Sequence, residues 1–259
     1  MANTRCVAAA LIVAAAVSVL PAARTSAQQP DLSNLDTANP AGQGRGRGAA
    51  KTPKEAAPID LTGYFVSIVS EDWRFRMVTP PKGDFPNLPL NPEGLKVANA
   101  WDPAKDEAAA DKCKAYGAPN IMRVPGRFHI TWADDRTLKM DTDAGGQTRL
   151  FHFGAPPATL GPPQRQGYST ARWEGRALSV ATSNLLPGYL QSNGGPFSAK
   201  TTMAETMDLI KEPGGESWLI ISTAVTDPTY LVRTFVRSTH LRKQADGAGW
   251  DPQPCVVRN

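Results

Sequence analysis

From residue 59 to the C-terminus, apolar and polar positions alternate with a period of two, which sends successive side chains to opposite faces of an extended chain. Residues 61–69 alternate around Gly63-Tyr64-Phe65-Val66, and 73–78 continue the pattern after a bend at Glu71-Asp72. Residues 127–132 and 137–141 read as a hairpin across Ala133-Asp134-Asp135-Arg136, and 147–153 follow a Gly-Gly turn. Residues 168–173 and 177–183 flank Glu174-Gly175-Arg176, another hairpin signal. Residues 202–210 and 218–225 flank Glu212-Pro213-Gly214-Gly215, and 231–243 close the series. About ten strands at short spacing, joined by tight turns, predict a single mainly β domain, an antiparallel β-barrel or sandwich.

One stretch breaks the alternation. Asn91-Pro92-Glu93-Gly94 opens a segment with apolar residues at Leu95, Val97, Ala98 and Trp101. Asp102-Pro103 then opens a run through Lys114. Proline at the first helical position after Asn or Asp is a common helix start, so two short helices are expected to cover one end or face of the sheet, with Trp101 as their apolar anchor.

The first 58 residues belong to a different regime. Arg5 supplies a positive start, an apolar run spans residues 7–20, and Thr25-Ser26-Ala27 offers small residues before Gln28. This is the layout of a signal peptide, residues 1–27, cut after Ala27. The run is too short and alanine-rich for a membrane span, which needs about 20 strongly apolar residues. Residues 28–58 are rich in Ala, Pro, Gly and charge and lack aromatics, the composition of a disordered linker. The expected organisation is a signal peptide, a linker, and a barrel domain over residues 59–259 of a periplasmic or secreted protein, with no membrane span after cleavage.

Charge excludes one class of partner. The formal net charge is +4. Arg5 and Arg24 leave with the signal, and the linker accounts for one of the remaining two charges, so the folded part is nearly balanced. No concentrated basic block exists, so no nucleic-acid partner is expected. Cys6 also leaves, and Cys113 and Cys255 remain. Two thiols in an oxidising compartment pair most simply into a disulfide, the alternative being two free buried thiols.

Several segments resemble a widespread family of exported, functionally unassigned bacterial proteins. They are Pro92-Glu93-Gly94, Cys113 followed by Gly117, Pro119 and Met122, and a motif of the form G-x-S-x-x-x-W-E-G-x-x-L-x-V-x-T. That motif is carried here by Gly167, Ser169, Trp173-Glu174-Gly175, Leu178, Val180 and Thr182. Glu205, Asp227-Pro228 with Tyr230, and Cys255 complete the set over about residues 60–255. Arg176 departs from it, standing where the family is often acidic. The resemblance implies a lipocalin-like, calycin-type antiparallel barrel.

Candidate chemistry comes from charges on apolar strand faces, because burying an ion without a partner is expensive. One face of 202–210 reads Met203, Glu205, Met207, Leu209, and one face of 147–153 reads Arg149, Phe151, Phe153. Glu205 and Arg149 are therefore expected to point inward and pair, either bracing the barrel or orienting a ligand. Glu71 continues the face of Val69, Trp73 and Phe75, where a carboxyl against tryptophan would transfer protons; a bend there would expose it instead. Asp72, Arg74 and Arg76 share the other face, a solvated stripe of mixed charge. His240 follows Val232, Thr234, Val236 and Ser238 on one face, which turns it inward, and His129 is expected to face outward. No two histidines lie at metal-ligand spacing, and there is no phosphate loop, dinucleotide fingerprint, CxxC or G-x-S-x-G, so no metal and no cofactor is expected.

These residues frame three expectations. The first is a binding barrel holding a small apolar or aromatic molecule in its interior, with Arg149 orienting its polar end and Trp73, Phe151 and Trp173 forming aromatic walls. The second is a lyase or isomerase using Glu205, Glu71 or His240 as general acid or base. The third is a structural envelope protein with a filled core.

Overall fold

The computed structural model describes residues 50–257, so the expected signal peptide and most of the expected linker lie outside the described residues. Thirteen strands follow one another: β1 (Gly63–Ile68), β2 (Arg127–Asp134), β3 (Thr137–Thr142), β4 (Ala144–Gly145), β5 (Thr148–Phe153), β6 (Tyr168–Glu174), β7 (Ala177–Ser183), β8 (Gly188–Gln191), β9 (Gly195–Phe197), β10 (Thr202–Lys211), β11 (Ser217–Thr226), β12 (Phe235–Lys243) and β13 (Gln253–Pro254). Nine of them close into a barrel in the order β1-β12-β11-β10-β7-β6-β5-β3-β2, with β1 pairing on both sides. This bears out the mainly β barrel class and is consistent with a calycin-like barrel. Every neighbour pair is antiparallel except β5 with β6, which run parallel because residues 154–167 cross over instead of turning back. β13 pairs with β4, and β8 with β9, outside the barrel.

The expected hairpins form where turn chemistry favours them. In the β2–β3 turn the Arg136 amide donates to the Asp134 carboxylate at 2.7 Å. In the β10–β11 turn the Glu212 amide donates to the Glu216 carbonyl at 2.8 Å, and Gly215 sits at φ +89°, where a side chain is strained. Along the strands burial alternates as the sequence pattern requires, most clearly in β10. The inward residues fill the barrel: Phe65, Phe128, Met140, Phe151, Met207 and Leu241 are all at or below 1 % exposure.

The two ends differ. At one end the β2–β3, β6–β7 and β10–β11 hairpins enclose Trp132, Phe153 and Trp173, with ring centroids 5.5 and 5.6 Å apart in sequence. Residues 50–58 dock there. Thr52 and Glu55 exchange hydrogen bonds at 2.9 and 3.2 Å, the Lys54 amide donates to the Asp135 carbonyl, and the Trp173 indole donates to the Pro53 carbonyl at 2.9 Å. The other end is covered by helices and by the β8–β9 hairpin.

Four short helices are present where two were expected. α1 (Trp73–Arg76) stands where the alternation predicted a continued strand. Asp72 adopts φ 53°, ψ 32°, which ends the extended chain and starts a turn. α2 (Pro92–Asn99) and α3 (Pro103–Ala108) begin as expected, with the Asn91 and Asp102 side chains capping Gly94 and Ala104. α3 stops earlier than expected, Ala110 turning at φ 54°, and a 3₁₀ turn (Lys114–Tyr116) precedes α4 (Ala118–Ile121). Trp101 anchors this cover by packing directly over Gly194, whose φ is +89°. A Cβ at residue 194 would overlap the indole, so Gly194→Ala is expected to destabilise by about 2 kcal/mol in urea melts, combining overpacking with left-handed strain.

Candidate functional site

Arg149 and Glu205 meet inside the barrel. β5 and β10 are too far apart in the sheet to be neighbours, and the two side chains reach each other through the interior. Arg149 Nη1 donates to Glu205 Oε1 at 3.1 Å and Nη2 to Oε2 at 2.6 Å, a bidentate pair with both side chains at 0 % exposure. Thr223 donates to Glu205 Oε1 at 3.5 Å, and Thr182, itself 2.8 Å from Ser169 Oγ, takes a bond from Arg149 Nη2 at 3.4 Å. The Arg149 guanidinium lies 4.9 Å from the Phe151 ring centroid. The pair thus faces inward as the strand faces predicted, and the cavities described below are not lined by either residue.

A cavity of about 480 Å³ opens at the helix-covered end. It exists because β1 and β12 pair only over Phe65–Ile68 and His240–Lys243, which leaves the start of β12 without a strand on that edge. Arginines fill the gap. Arg123 Nη1 donates to the Ser238 carbonyl of β12 at 3.2 Å, and its Nη2 pairs with Asp72 at 2.7 Å. Arg76 Nε donates to the Arg123 carbonyl at 3.1 Å, and its Nη1 donates to the Ile68 carbonyl at 2.6 Å and pairs with Glu71. Arg237 enters from the inner face of β12, in register with Thr223 and so two strands from Glu205, and its Nη1 donates to the Leu190 carbonyl at 3.3 Å.

Charge is not balanced in this cavity. Glu71 is committed to Arg76 and Asp72 to Arg123. Arg233 and Arg237 have no carboxylate within 4 Å among the described residues. Burial, then the charge of Arg123, pushes Arg237 down to about 9, against the opposing pull of Glu205. The same two causes bring Arg76 down to about 10, with Glu71 and Asp72 opposing. Both remain cations at neutral pH, and each is held at a cost that an incoming anion would relieve. Phe75, Leu88, Leu190 and Phe235 supply apolar wall, and Asn120 and Gln191 supply neutral polar groups.

The candidates from sequence separate into three places. Glu71 and His240 line this cavity together. Arg149, Glu205 and Phe151 share the barrel interior. Trp73 is 62 % exposed on α1, and Trp173 lies at the opposite end of the barrel. Three local expectations are corrected. Glu71 does not lie in an apolar pocket against tryptophan, because the Arg76 guanidinium takes its carboxylate. Arg76 is not part of a solvated stripe; it is 2 % exposed, because the helical turn carries it under the barrel edge. His240 lies on the outer face of β12, since Thr239 and Leu241 occupy the inner one at 1 % and 0 % exposure; its Nε2 is 3.3 Å from Ser238 Oγ. His129 is outward as expected, stacked on Tyr64 at 4.0 Å.

Sequence reasoning missed Arg123 and Arg237. Arg237 carried the signal that found Arg149, a charge between Phe235 and Leu241 on an apolar face. Arg123 carried none, since it follows α4 in an irregular segment. Among the described residues no group of three or more His, Cys, Asp and Glu could hold a metal ion, and no helix is long and apolar enough to cross a membrane. No family model matches the chain, and no curated protein and no solved structure is significantly similar to it.

Proposed function

We propose that this protein is an exported binding barrel for a small organic anion, held at the helix-covered mouth with its acidic group on Arg237 and Arg233. The observation that carries this reading is the surplus of arginine over carboxylate in a half-open cavity of about 480 Å³, with Arg233 at its exposed rim. That volume is in the range of small-molecule sites, and such sites combine apolar wall with a few convergent polar groups. An apolar or aromatic body would lie along Phe75, Leu190 and Phe235. Glu71 Oε2, buried with no hydrogen-bond partner, would accept from a ligand hydroxyl or amine. Export rests on the leader-like first 27 residues and on the Cys113–Cys255 bridge, which suits an oxidising compartment. Membership of the exported calycin-type family is part of the same proposal. The reading keeps a small molecule with an apolar body as partner and moves its polar end from Arg149 to Arg237, because the barrel interior is filled with side chains.

The test is calorimetric titration of aromatic and aliphatic carboxylates into the protein and into Arg237→Met. We expect a carboxylate to bind, and Arg237→Met to weaken it by roughly 100-fold, the scale of removing a buried charge partner. The variant's melting midpoint should stay level or rise, since a crowded cation is removed. Affinity should also fall as pH rises through about 9, where Arg237 loses its proton. Binding that survives in Arg237→Met would refute the site, and no carboxylate binding at all would leave the filled-core structural protein as the better account. A second reading, a lyase or isomerase on the same cavity, is favoured by Glu71 and His240 sharing it. Turnover lost in Glu71→Gln with affinity retained would establish that reading over the carrier.

A further inference from the structure

Two hollows lie on the outside of the barrel wall and share no lining residue with the arginine-lined cavity. Of about 310 and 620 Å³, they run side by side over the outer faces of β5, β6, β7, β10 and β11 and share Leu160 and Tyr168. Their outer wall is the β5–β6 crossover, which brings Pro156, Pro157 and Leu160 over the sheet. Their floor is flat, because Thr170 pairs with Ala181, Ala181 with Ala204, and Ala204 with Ala224, all small residues in one row across four strands. The next positions along those strands present hydroxyls, Ser183 opposite Tyr168 and Thr202 opposite Thr226.

Three observations define what fits. No Asp, Glu, Lys or Arg lines either hollow, although 20 % of the chain is charged, so neither offers an ionic partner. His152 and Tyr168 stack with centroids 4.8 Å apart and planes 13° from parallel, a broad aromatic platform at the junction of the hollows. Gln166, 8 % exposed, lines the smaller hollow. Its Nε2 donates to the Tyr116 carbonyl at 2.7 Å and to Gln147 Oε1 at 3.1 Å, while its own Oε1 is buried without a partner. Natively buried amide oxygens are rarely left unsatisfied, and a hydroxyl, from water or from a ligand, would satisfy this one.

We propose that the joined hollows form a cleft for a neutral oligosaccharide. A sugar ring has an apolar C–H face and a rim of hydroxyls. The face would lie on Tyr168, an aromatic group with an apolar body, and the hydroxyls would meet Gln164, Gln166 and Asn184 in the smaller hollow and Thr202 and Thr226 in the larger. Continuity of the two hollows selects a chain of several units over a single sugar, and the lack of cationic side chains selects against acidic glycans.

The experiment titrates the whole protein with cellohexaose, maltohexaose and chitohexaose, read by calorimetry and by amide chemical shifts. We expect saturable binding of one of the three at up to millimolar concentration, with shifts concentrated on β6, β7 and β10. Tyr168→Ala should weaken it roughly tenfold or more. Ala204→Arg, at an exposed position on the floor, should abolish it without touching the core, so loss of binding is separable from loss of fold by superimposable melting curves. Arg237→Met should leave sugar affinity unchanged. Absence of saturable binding for all three sugars would overturn the proposal. So would retained affinity in folded Ala204→Arg, or preferential binding of an acidic saccharide or of a proline-rich peptide.

Discussion

Glu205→Met is expected to lower stability by ~4–5 kcal/mol and Arg149→Met by ~3–4 kcal/mol, while the double variant returns to within ~1 kcal/mol of the parent or exceeds it. The bidentate pair is wholly out of water, so removing one partner leaves the other as a lone charge that neither solvent nor a flexible neighbour can reach. The threonines at 3.4 and 3.5 Å offer hydroxyl dipoles, which offset only part of that cost. The order of the two single variants follows from Arg237, whose charge is favoured by Glu205. Without Glu205, Arg149 loses its anion and Arg237 loses a more distant favourable charge; without Arg149, Glu205 still has a cation two strands away. With methionine at both positions, apolar volume replaces the ions, and Ser169 and Thr182 still satisfy each other at 2.8 Å. Urea denaturation of the three variants measures this directly. Unchanged midpoints in both single variants would mean the pair is solvated. A double variant as unstable as the worse single one would mean the ions do more than neutralise each other. Carboxylate affinity in the double variant should match the parent, which separates the brace in the barrel from the anion cavity at its mouth.

Period-two alternation carried most of the barrel, and its failures have definite causes. β10 could be read because Met203, Met207 and Leu209 face Ala204, Thr206 and Asp208, so one face is plainly apolar. β12 could not be oriented the same way. Val236 and Phe235 put an apolar residue on each face, and only burial by neighbouring strands decides that Arg237 and not His240 turns inward. Residues 73–78 alternate as well as any strand, yet Asp72 turns the chain before them, and the buried Arg76 gains carbonyl and carboxylate partners there that an edge strand would not supply. β8 and β9 show no alternation because every residue of β9 and most of β8 is covered on both sides. The paired cation and anion were legible because each sits alone on an apolar face. The arginine-lined cavity was not, since its members come from the bend after β1, α1, α4 and the segment after it, β8 and β12, and no local spacing links them.

Reducing the Cys113–Cys255 bridge, or replacing either cysteine by serine, is expected to lower stability by up to ~4–5 kcal/mol. The bridge spans a sequence separation of 142, and in the chain-entropy model a loop that long gives the unfolded chain the most freedom to regain. In the folded protein the loss should begin at one place. Cys255 follows β13, whose pairing with β4 is two residues long, and Cys113 leads the 3₁₀ turn that carries Tyr116. Gln147 Nε2 lies 3.5 Å from Cys255 Sγ, and the Val256 amide donates to the Tyr116 hydroxyl at 3.5 Å. Once the bridge opens, these contacts hold the C-terminal segment weakly. Hydrogen exchange in the reduced protein should therefore rise first at residues 253–257 and 113–116, with β10 and β11 still protected, before the lowered global transition is reached. Tyr116 and Gln147 also hold Gln166, so reduction should weaken any ligand of the outer cleft while leaving the anion cavity, whose arginines are fixed from β1, α1 and β12, close to its parental affinity. A melting midpoint unchanged after reduction, with both thiols shown to be free, would mean that the barrel closes without help from its terminal segment.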